Sequence, residues 1–494
     1  MDILSALLPF FVLLVVGALL LMYEVFAEEP DRGWIANLGS VGFLLAGFLL
    51  VGQLGDPSVG LFERGPVTAI MVDDFGRAAS LVCVLAGLLA TLFTPVYSRK
   101  AGHDHGEYYA LIVFAVMGMM VMVMSGDLIT FFVGLETMSV GVYCLTCLRS
   151  EDRRSSEAAL KYFLMGAFAT GFLLFGIAFI YGATASVGYG EIARSLRDPS
   201  GDGHLPILLL GILLVLIGFG FKVAAVPFHM WAPDTYEGAP TPVAGFMAAG
   251  VKAAAFVSLM RLVVGALPGL EAPDQMLWIP FLSGLAVLTI LFGNLLALAQ
   301  PGIKRMLAYS SVSHAGYLLI AVVAAAKGEA SAPGALLYYL SGYTFMTLGA
   351  FGVLGILERI DGGPSSERYE AFAGVGHRHP ALALAMALFM VAMGGLPPTA
   401  GFFGKLYVFS SAVRAGETWL ALVGVFGSLI SIVYYLRVLV AFYMREDSPA
   451  YSRALSFKPS PHAGIGLALA ALGVVALGVW PGAWLDVTRA ALGG

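Results

Sequence analysis

The chain has 494 residues, of which 59% are hydrophobic and only 12% charged, with a net charge of -5 and a mean hydropathy of +0.86. Soluble domains carry about 25% charged residues, so the composition excludes a soluble globular protein and predicts an all-α polytopic membrane protein in contact with a lipid bilayer. Most of its 27 basic residues fall in short loops, none longer than about 25 residues, so no nucleic-acid partner and no soluble catalytic domain are expected.

A helix needs about 20 apolar residues to cross roughly 30 Å of hydrocarbon. Fourteen such windows are read, near residues 3–24, 35–54, 76–96, 108–124, 127–148, 158–182, 205–228, 240–264, 276–299, 303–326, 333–357, 380–413, 417–443 and 462–485. The first begins Met1-Asp2 without a basic region or a small-residue cleavage site, and reads as a retained helix.

Fourteen spans place both termini on one side. Loops after odd-numbered helices hold fourteen basic residues: Arg32, Arg99, Lys100, Arg149, Arg153, Arg154, Lys304, Arg305, Arg359, Arg368, Arg378, Arg445, Arg453 and Lys458. The other side holds eight, Arg64, Arg77, Arg194, Arg197, Arg261, Lys327, Arg414 and Arg489. The positive-inside rule then turns both termini outward. Five basic residues remain inside helices: Lys161, Lys222, Lys252, Lys405 and Arg437.

In chain order, the first three windows are apolar filling with Glu24, Asp73, Asp74 and Arg77 at their boundaries. The loop His103-Asp104-His105 could bind a metal, but two exposed histidines more often belong to a solvated loop. Cys83, Cys144 and Cys147 fall in apolar windows, and the CxxC of the last two lacks a second ligand pair, so they read as small core residues. Neither a metal nor a disulfide is expected.

The fifth window carries Glu136 about nine residues from either edge, some 13 Å deep at 1.5 Å per residue. Acids at that depth are expensive and functional by default. The sixth opens with Glu157 and Lys161 at i and i+4, the favourable order for an ion pair; a boundary salt bridge and a second proton route both remain open.

Residues 220 to 256 carry Lys222 and Lys252 with Pro227, Pro233, Pro240 and Pro242 between them. A charged lysine at the bilayer centre is disfavoured by roughly 3 kcal/mol, so it faces a protein interior or water. Proline breaks the helix and frees backbone groups that need polar partners. The link Trp231–Gly238 reads as a polar inner-side connection with two acids and no base.

Helix 10 carries Ser310, Ser311, Ser313 and His314, a residue that titrates near neutrality and relays protons. Helix 12 is interrupted at Gly394-Gly395-Leu396-Pro397-Pro398, and Lys405 follows two turns later. The phrase PTPVAGF at 240–246 is echoed by LPPTAGF at 396–402. Two proline-interrupted segments, each with a buried lysine, are what inverted repeats leave. The organisation expected is a segment 1–104, two inverted five-helix repeats at 105–264 and 265–445 with helices 7 and 12 broken, and a final segment 446–494.

The stretches GLETMSVGVYCL, EAALKYFLMGAFATG, FKVAAVPFHMWAPDTYEGAPTPVAGFMAAGVKAAAF, KRMLAYSSVSHAGYLL and GGLPPTAGFFGKLYVF resemble the antiporter-like membrane subunits of respiratory complex I, an NADH-quinone oxidoreductase, over about residues 105–445. The resemblance implies a fourteen-helix proton channel in a bacterial inner membrane, with both termini periplasmic. Glu136, Lys222, Lys252, His314 and Lys405 match the family's proton-path positions, Glu157 and Lys161 match a second acid and lysine, and Pro227, Pro397 and Pro398 mark its helix breaks. The resemblance also implies a chain with no cofactor of its own, while NADH, FMN, iron-sulfur clusters and quinone belong to partner subunits, with neighbouring antiporter-like and small membrane subunits as its contacts. Subunits of Mrp-type sodium/proton antiporters and membrane-bound hydrogenases share this fold, and the PDTYEGAPTPV wording favours the complex I branch. A quinone-binding redox enzyme and a non-conducting scaffold are the readings from other classes.

Overall fold

The computed structural model describes residues 3–27, 32–102, 105–149, 152–197, 205–267, 278–358, 367–445 and 460–490. His103 and Asp104 of the histidine loop lie outside these, as do Arg359, Arg453 and Lys458. The chain runs α1 (Ile3–Phe26), α2 (Arg32–Gly52), β1 (Val59–Arg64), β2 (Val67–Val72), α3 (Asp74–Ala101), α4 (Glu107–Val123), α5 (Leu128–Thr146), α6 (Arg153–Thr184), α7 (Tyr189–Arg197) and α8 (Leu205–Lys222). It continues through α9 (Trp231–Gly238), α10 (Thr241–Phe246), a π-turn (Met247–Val251), α11 (Lys252–Ala266), α12 (Trp278–Ala299), α13 (Ile303–Ala326) and α14 (Ala332–Leu357). The last elements are α15 (Val375–Arg378), α16 (Pro380–Gly394), α17 (Ala400–Arg414), α18 (Thr418–Tyr443), α19 (Pro461–Val479) and α20 (Pro481–Ala490).

Among the described residues, twelve helices are long and apolar enough to cross a membrane, and Glu107–Val123 and Pro380–Gly394 are shorter apolar helices. Each predicted window falls on one of these, and the window at 380–413 divides into α16 and α17 at the expected prolines. Carboxylates start several helices by accepting free backbone amides of the first turn. Asp127 does so for α5, taking Ile129 N and Thr130 N at 2.7 Å each, and Asp73 takes Gly76 N at 2.7 Å for α3.

The centre of the bundle is set by which helices lose lipid contact. The apolar windows of α3, the Thr241–Ala266 rod, α13 and α14 are 89%, 100%, 94% and 94% buried, whereas those of α1, α6 and α19 are 28%, 33% and 28% buried. Neighbouring helices approach closely through small residues, as membrane helices do. A Cβ on Gly118 of α4 would stand 2.5 Å from Met138 N of α5, and one on Gly176 of α6 would stand 2.7 Å from Gly211 O of α8.

Several sequence expectations are corrected. Residues 231–238 form a helix, α9, with Trp231, Thr235 and Tyr236 buried, rather than an open polar link. Arg261 and Lys304, assigned to loops, lie within α11 and in the first turn of α13 and are buried. Cys83 is buried as expected, but Cys144 is exposed and Cys147 half-buried, because the helix face they occupy looks away from the core. The antiparallel hairpin β1–β2, pairing Val59 with Val72, was not anticipated; Met71 N donates to Met124 O and Gly126 N to Ala69 O, so it covers the turn between α4 and α5.

Candidate functional site

Lys222, Lys252, His314 and Lys405 are 4%, 2%, 0% and 5% exposed, so each must find polar partners inside the protein. Lys222 is the last residue of α8, and the chain leaves that helix through Ala224 in the left-handed region at φ 57°. Ala225 N closes back on Gly220 O at 2.8 Å, the six-to-one bond of a helix end. The freed backbone groups are taken by side chains: Trp231 Nε1 donates to Phe221 O at 3.0 Å, and Val226 N donates to Thr289 Oγ1 at 2.9 Å. Pro227 thus sits in a break where Gly220 O, Phe221 O, Ala225 N and Val226 N all find partners, as irregular backbone at membrane depth requires.

Lys222 Nζ donates to Ser139 Oγ of α5 at 2.8 Å. It lies 5.6 Å from the ring centroid of Tyr143 and 5.9 Å from that of Tyr162, close enough for cation–π attraction. Glu136, one turn before Ser139, is half-buried and accepts Thr170 Oγ1 of α6 at 3.1 Å. Glu136 and Lys222 are near each other, but no ion pair joins them among the described residues, and the lysine bonds Ser139 instead.

Lys252 is the first residue after the π-turn, a departure from regular helix often found at functional positions. Its Nζ donates to both the carbonyl and the hydroxyl of Ser311 on α13, and the phenols of Tyr236 and Tyr343 lie close to the Ser311 side chain. No hydrogen bond joins Lys222 to Lys252 among the described residues. The ground between them is aromatic, with Tyr162 stacked on Trp231 at 4.7 Å and Trp231 against Tyr236 at 6.0 Å.

His314 is held by two phenols, Nδ1 to Tyr339 at 2.6 Å and Nε2 to Tyr435 at 2.9 Å. Tyr435 also bonds Ser310. From the next turn, Ser313 meets Tyr434 at 3.4 Å, Tyr434 donates to Asn294 Oδ1 at 3.1 Å, and Asn294 Nδ2 donates to Tyr317 at 3.1 Å. The ring of Tyr317 lies 5.2 Å from Lys405 Nζ. Serine, histidine, tyrosine and asparagine side chains therefore fill the ground between Lys252 and Lys405.

Lys405 Nζ donates to Met393 O at 3.0 Å, Gly394 O at 3.1 Å and Ser428 Oγ at 2.7 Å. The two carbonyls are the free acceptors at the end of α16, so the break at Pro397 and Pro398 supplies the partners of the lysine that follows it. Glu157 and Lys161 form the expected i,i+4 ion pair at 2.8 Å, and Lys161 also reaches Asp234 of α9 at 3.2 Å. Both are exposed at the end of the bundle that carries Arg153, Arg154 and Arg305.

Sequence reasoning missed Ser139, Thr170, Asn294, Ser428 and the buried tyrosines. Asn294 was legible, since a primary amide in the apolar run LFGNLLALA demands a partner. The tyrosines were not, because buried aromatics in membrane helices read equally as packing.

Residues 125–431 match the family described as NADH:quinone oxidoreductase/Mrp antiporter, transmembrane. The chain is 42% identical over 490 residues to the NADH-quinone oxidoreductase subunit N of Trichlorobacter lovleyi, covering 99% of this chain and 97% of that one. A chain of respiratory complex I from Thermus thermophilus superposes with a TM-score of 0.78 at 34% identity, covering 97% of this chain and 98% of that one. A chain of the Mrp complex from Dietzia superposes at 0.82 with 22% identity, over 99% and 97% of the two chains, and shares the fold. The buried lysines beside two helix breaks lie within or next to the matched region, and the chain belongs to the NADH:quinone oxidoreductase/Mrp antiporter family of membrane proteins.

Proposed function

We propose that the chain is a proton-translocating membrane subunit of an NADH-quinone oxidoreductase, respiratory complex I. The observation that carries this is the file of buried lysine, histidine, tyrosine, serine and asparagine side chains from Lys252 to Lys405, with Lys222 and Glu136 at its other end. Buried ammonium groups that pair with hydroxyls and carbonyls rather than carboxylates keep protons in exchangeable positions. In this proposal NADH, FMN, iron-sulfur clusters and quinone are assigned to partner subunits.

In this reading, quinone reduction in the partners shifts Glu136 relative to Lys222. The carboxylate favours the charged lysine and apolar surroundings favour the neutral one, so the shift makes Lys222 take up or release a proton. The proton passes by Lys252 and His314, across gaps bridged by water, to Lys405 and out. Moving one charge across 100 mV costs about 2.3 kcal/mol, within reach of one relocated ion pair. Helices α4 to α11 and α12 to α18 serve as the inverted halves, and the basic end carrying Arg153, Arg154, Arg305, Arg368 and Arg378 faces the bacterial cytoplasm.

The test is proton pumping per NADH oxidised in membrane vesicles, with Lys222→Ala and Glu136→Ala in assembled complex. Pumping and quinone reduction should fall together. Wild-type values for both would make these charges structural and leave the scaffold reading.

A further inference from the structure

At the basic end, a buried ion pair lies apart from the path just described. Lys304 opens α13 and Glu358 caps α14; they are 1% and 6% exposed, with Nζ and Oε1 3.8 Å apart. That separation is too long for a strong hydrogen bond, and each group is held by something else. Lys304 Nζ donates to Ala239 O at 2.9 Å, and Glu358 accepts the hydroxyl of Thr241. Ala239 and Thr241 flank the start of α10, which leads through the π-turn to Lys252.

The placement relative to Lys252 is not arbitrary. Lys304 and Ser311 are seven residues apart on α13, two turns and about 10 Å along one face, and Ser311 is the residue that holds Lys252. The phenol of Tyr236 on α9 lies close to the Ser311 side chain. Toward the aqueous phase, half-buried Glu367 faces Lys304 on α13, Glu358 at the end of α14, Glu237 on α9 and Arg154 on α6, and burial pushes its carboxyl up to about 7. Titratable groups therefore run from the surface to Ser311.

We propose that Glu367, Lys304 and Glu358 form the proton-loading site of this chain, passing protons from the inner aqueous phase by way of Thr241, Tyr236 and Ser311 to Lys252. Glu367 takes a proton from water. The Lys304 ammonium gives one proton to the Glu358 carboxylate and regains one from Glu367, so one proton advances and no charge is left behind. Neutral Glu358 then returns its proton through the hydroxyls and bridging water to the Lys252 amine, and no electron moves. The inference rests on conduction through Lys252.

The experiment compares Glu358→Gln, Lys304→Met, Glu367→Gln and Lys252→Met in assembled complex in membrane vesicles, reading protons pumped and quinone reduced per NADH. Glu358→Gln and Lys304→Met should each lower pumping about tenfold or more, the scale of a lost proton-transfer group, with Lys304→Arg partly restoring it. Glu367→Gln should slow turnover and abolish a pH dependence near neutrality, which a purely structural residue would not alter. Full pumping in Glu358→Gln beside a silent Lys252→Met overturns the loading site alone. Full pumping in Lys252→Met overturns the conduction reading beneath it. If Glu358→Gln does not assemble, the exposed-side variant Glu367→Gln decides, and an unchanged pH profile there overturns the proposal.

Discussion

Lys222 and Lys405 both sit beside a broken helix, yet they are held by different means. Lys405 reaches back to the carbonyls of Met393 and Gly394 and adds Ser428. Those carbonyls are the negative end of α16, and backbone does not rearrange easily. Lys222 closes its own helix and depends on one serine, two aromatic faces and a half-buried carboxylate a turn away. The second-half lysine is fixed by the fold, whereas the first-half lysine depends on side chains that can move. Coupling to a partner should therefore act on Lys222.

The sharpest way to break this contrast is to remove the two serines. Ser139→Ala takes away the hydrogen bond of Lys222, and a bond to a charged group is worth about 1.5–3 kcal/mol, so coupled turnover should fall by about tenfold to a hundredfold. Ser428→Ala leaves Lys405 its two carbonyls and should cost only a few-fold, by NADH-driven pumping. Equal losses would mean that the two sites are equivalent.

A second test concerns the breaks themselves. Gly395 has φ 80°, where a side chain costs about 1–2 kcal/mol, and its Cβ would stand 2.8 Å from Lys405 Cδ. Gly395→Ala should lower both the thermal midpoint of the solubilised complex and its pumping, since it pushes Lys405 off its carbonyls. Loss of stability without loss of pumping would show that the carbonyl contacts are dispensable.

Arg261 and Asp73 provide a benchmark for a charge pair outside the path, with Nη2 to Oδ1 at 2.6 Å. Burial raises the Asp73 carboxyl, but the Arg261 guanidinium and the Gly76 amide outweigh it and hold it below its ordinary value. A depressed carboxyl stabilises fully above its unfolded value, about 3.9, and loses that contribution as pH falls through the folded one. Because Asp73 itself is 22% exposed but Arg261 only 7%, Asp73→Asn leaves a buried guanidinium unpaired and should cost about 3 kcal/mol of stability at pH 7, soften acid denaturation and leave protons per NADH unchanged.

The smallest effect is expected at Ala224, the non-glycine residue at φ 57° in the first break. Relief of a left-handed alanine is worth about 1–2 kcal/mol, and the added freedom of glycine in the unfolded chain returns about 0.5–1 kcal/mol. Ala224→Gly should raise the thermal midpoint slightly and leave turnover intact. A loss of turnover there would show that the first break is itself a moving part.

Much of this architecture was legible beforehand, for definite reasons. Apolar runs of about 20 residues have one solution in lipid, the helix, so the spans at 3–24 or 303–326 fell close to their observed limits. Lys222, Lys252 and Lys405 announced themselves because a charge inside an apolar run is costly. Arg261 and Lys304 did not, since a basic residue near the end of a run looks like a loop residue until the helices that enclose it are known. The hairpin at 59–72 was missed because its residues are neither long enough nor apolar enough to register in a span search.

The sequence by itself determined the membrane class, the helix breaks and that Lys222, Lys252 and Lys405 must find partners, because those follow from local hydropathy and proline chemistry. Only the tertiary structure decided what the partners are: Ser139 rather than Glu136 for Lys222, Ser311 for Lys252, the end of α16 for Lys405, and Lys304 opposite Glu358. These contacts join residues far apart in the chain, and no local rule reaches across helices that meet only when the bundle packs.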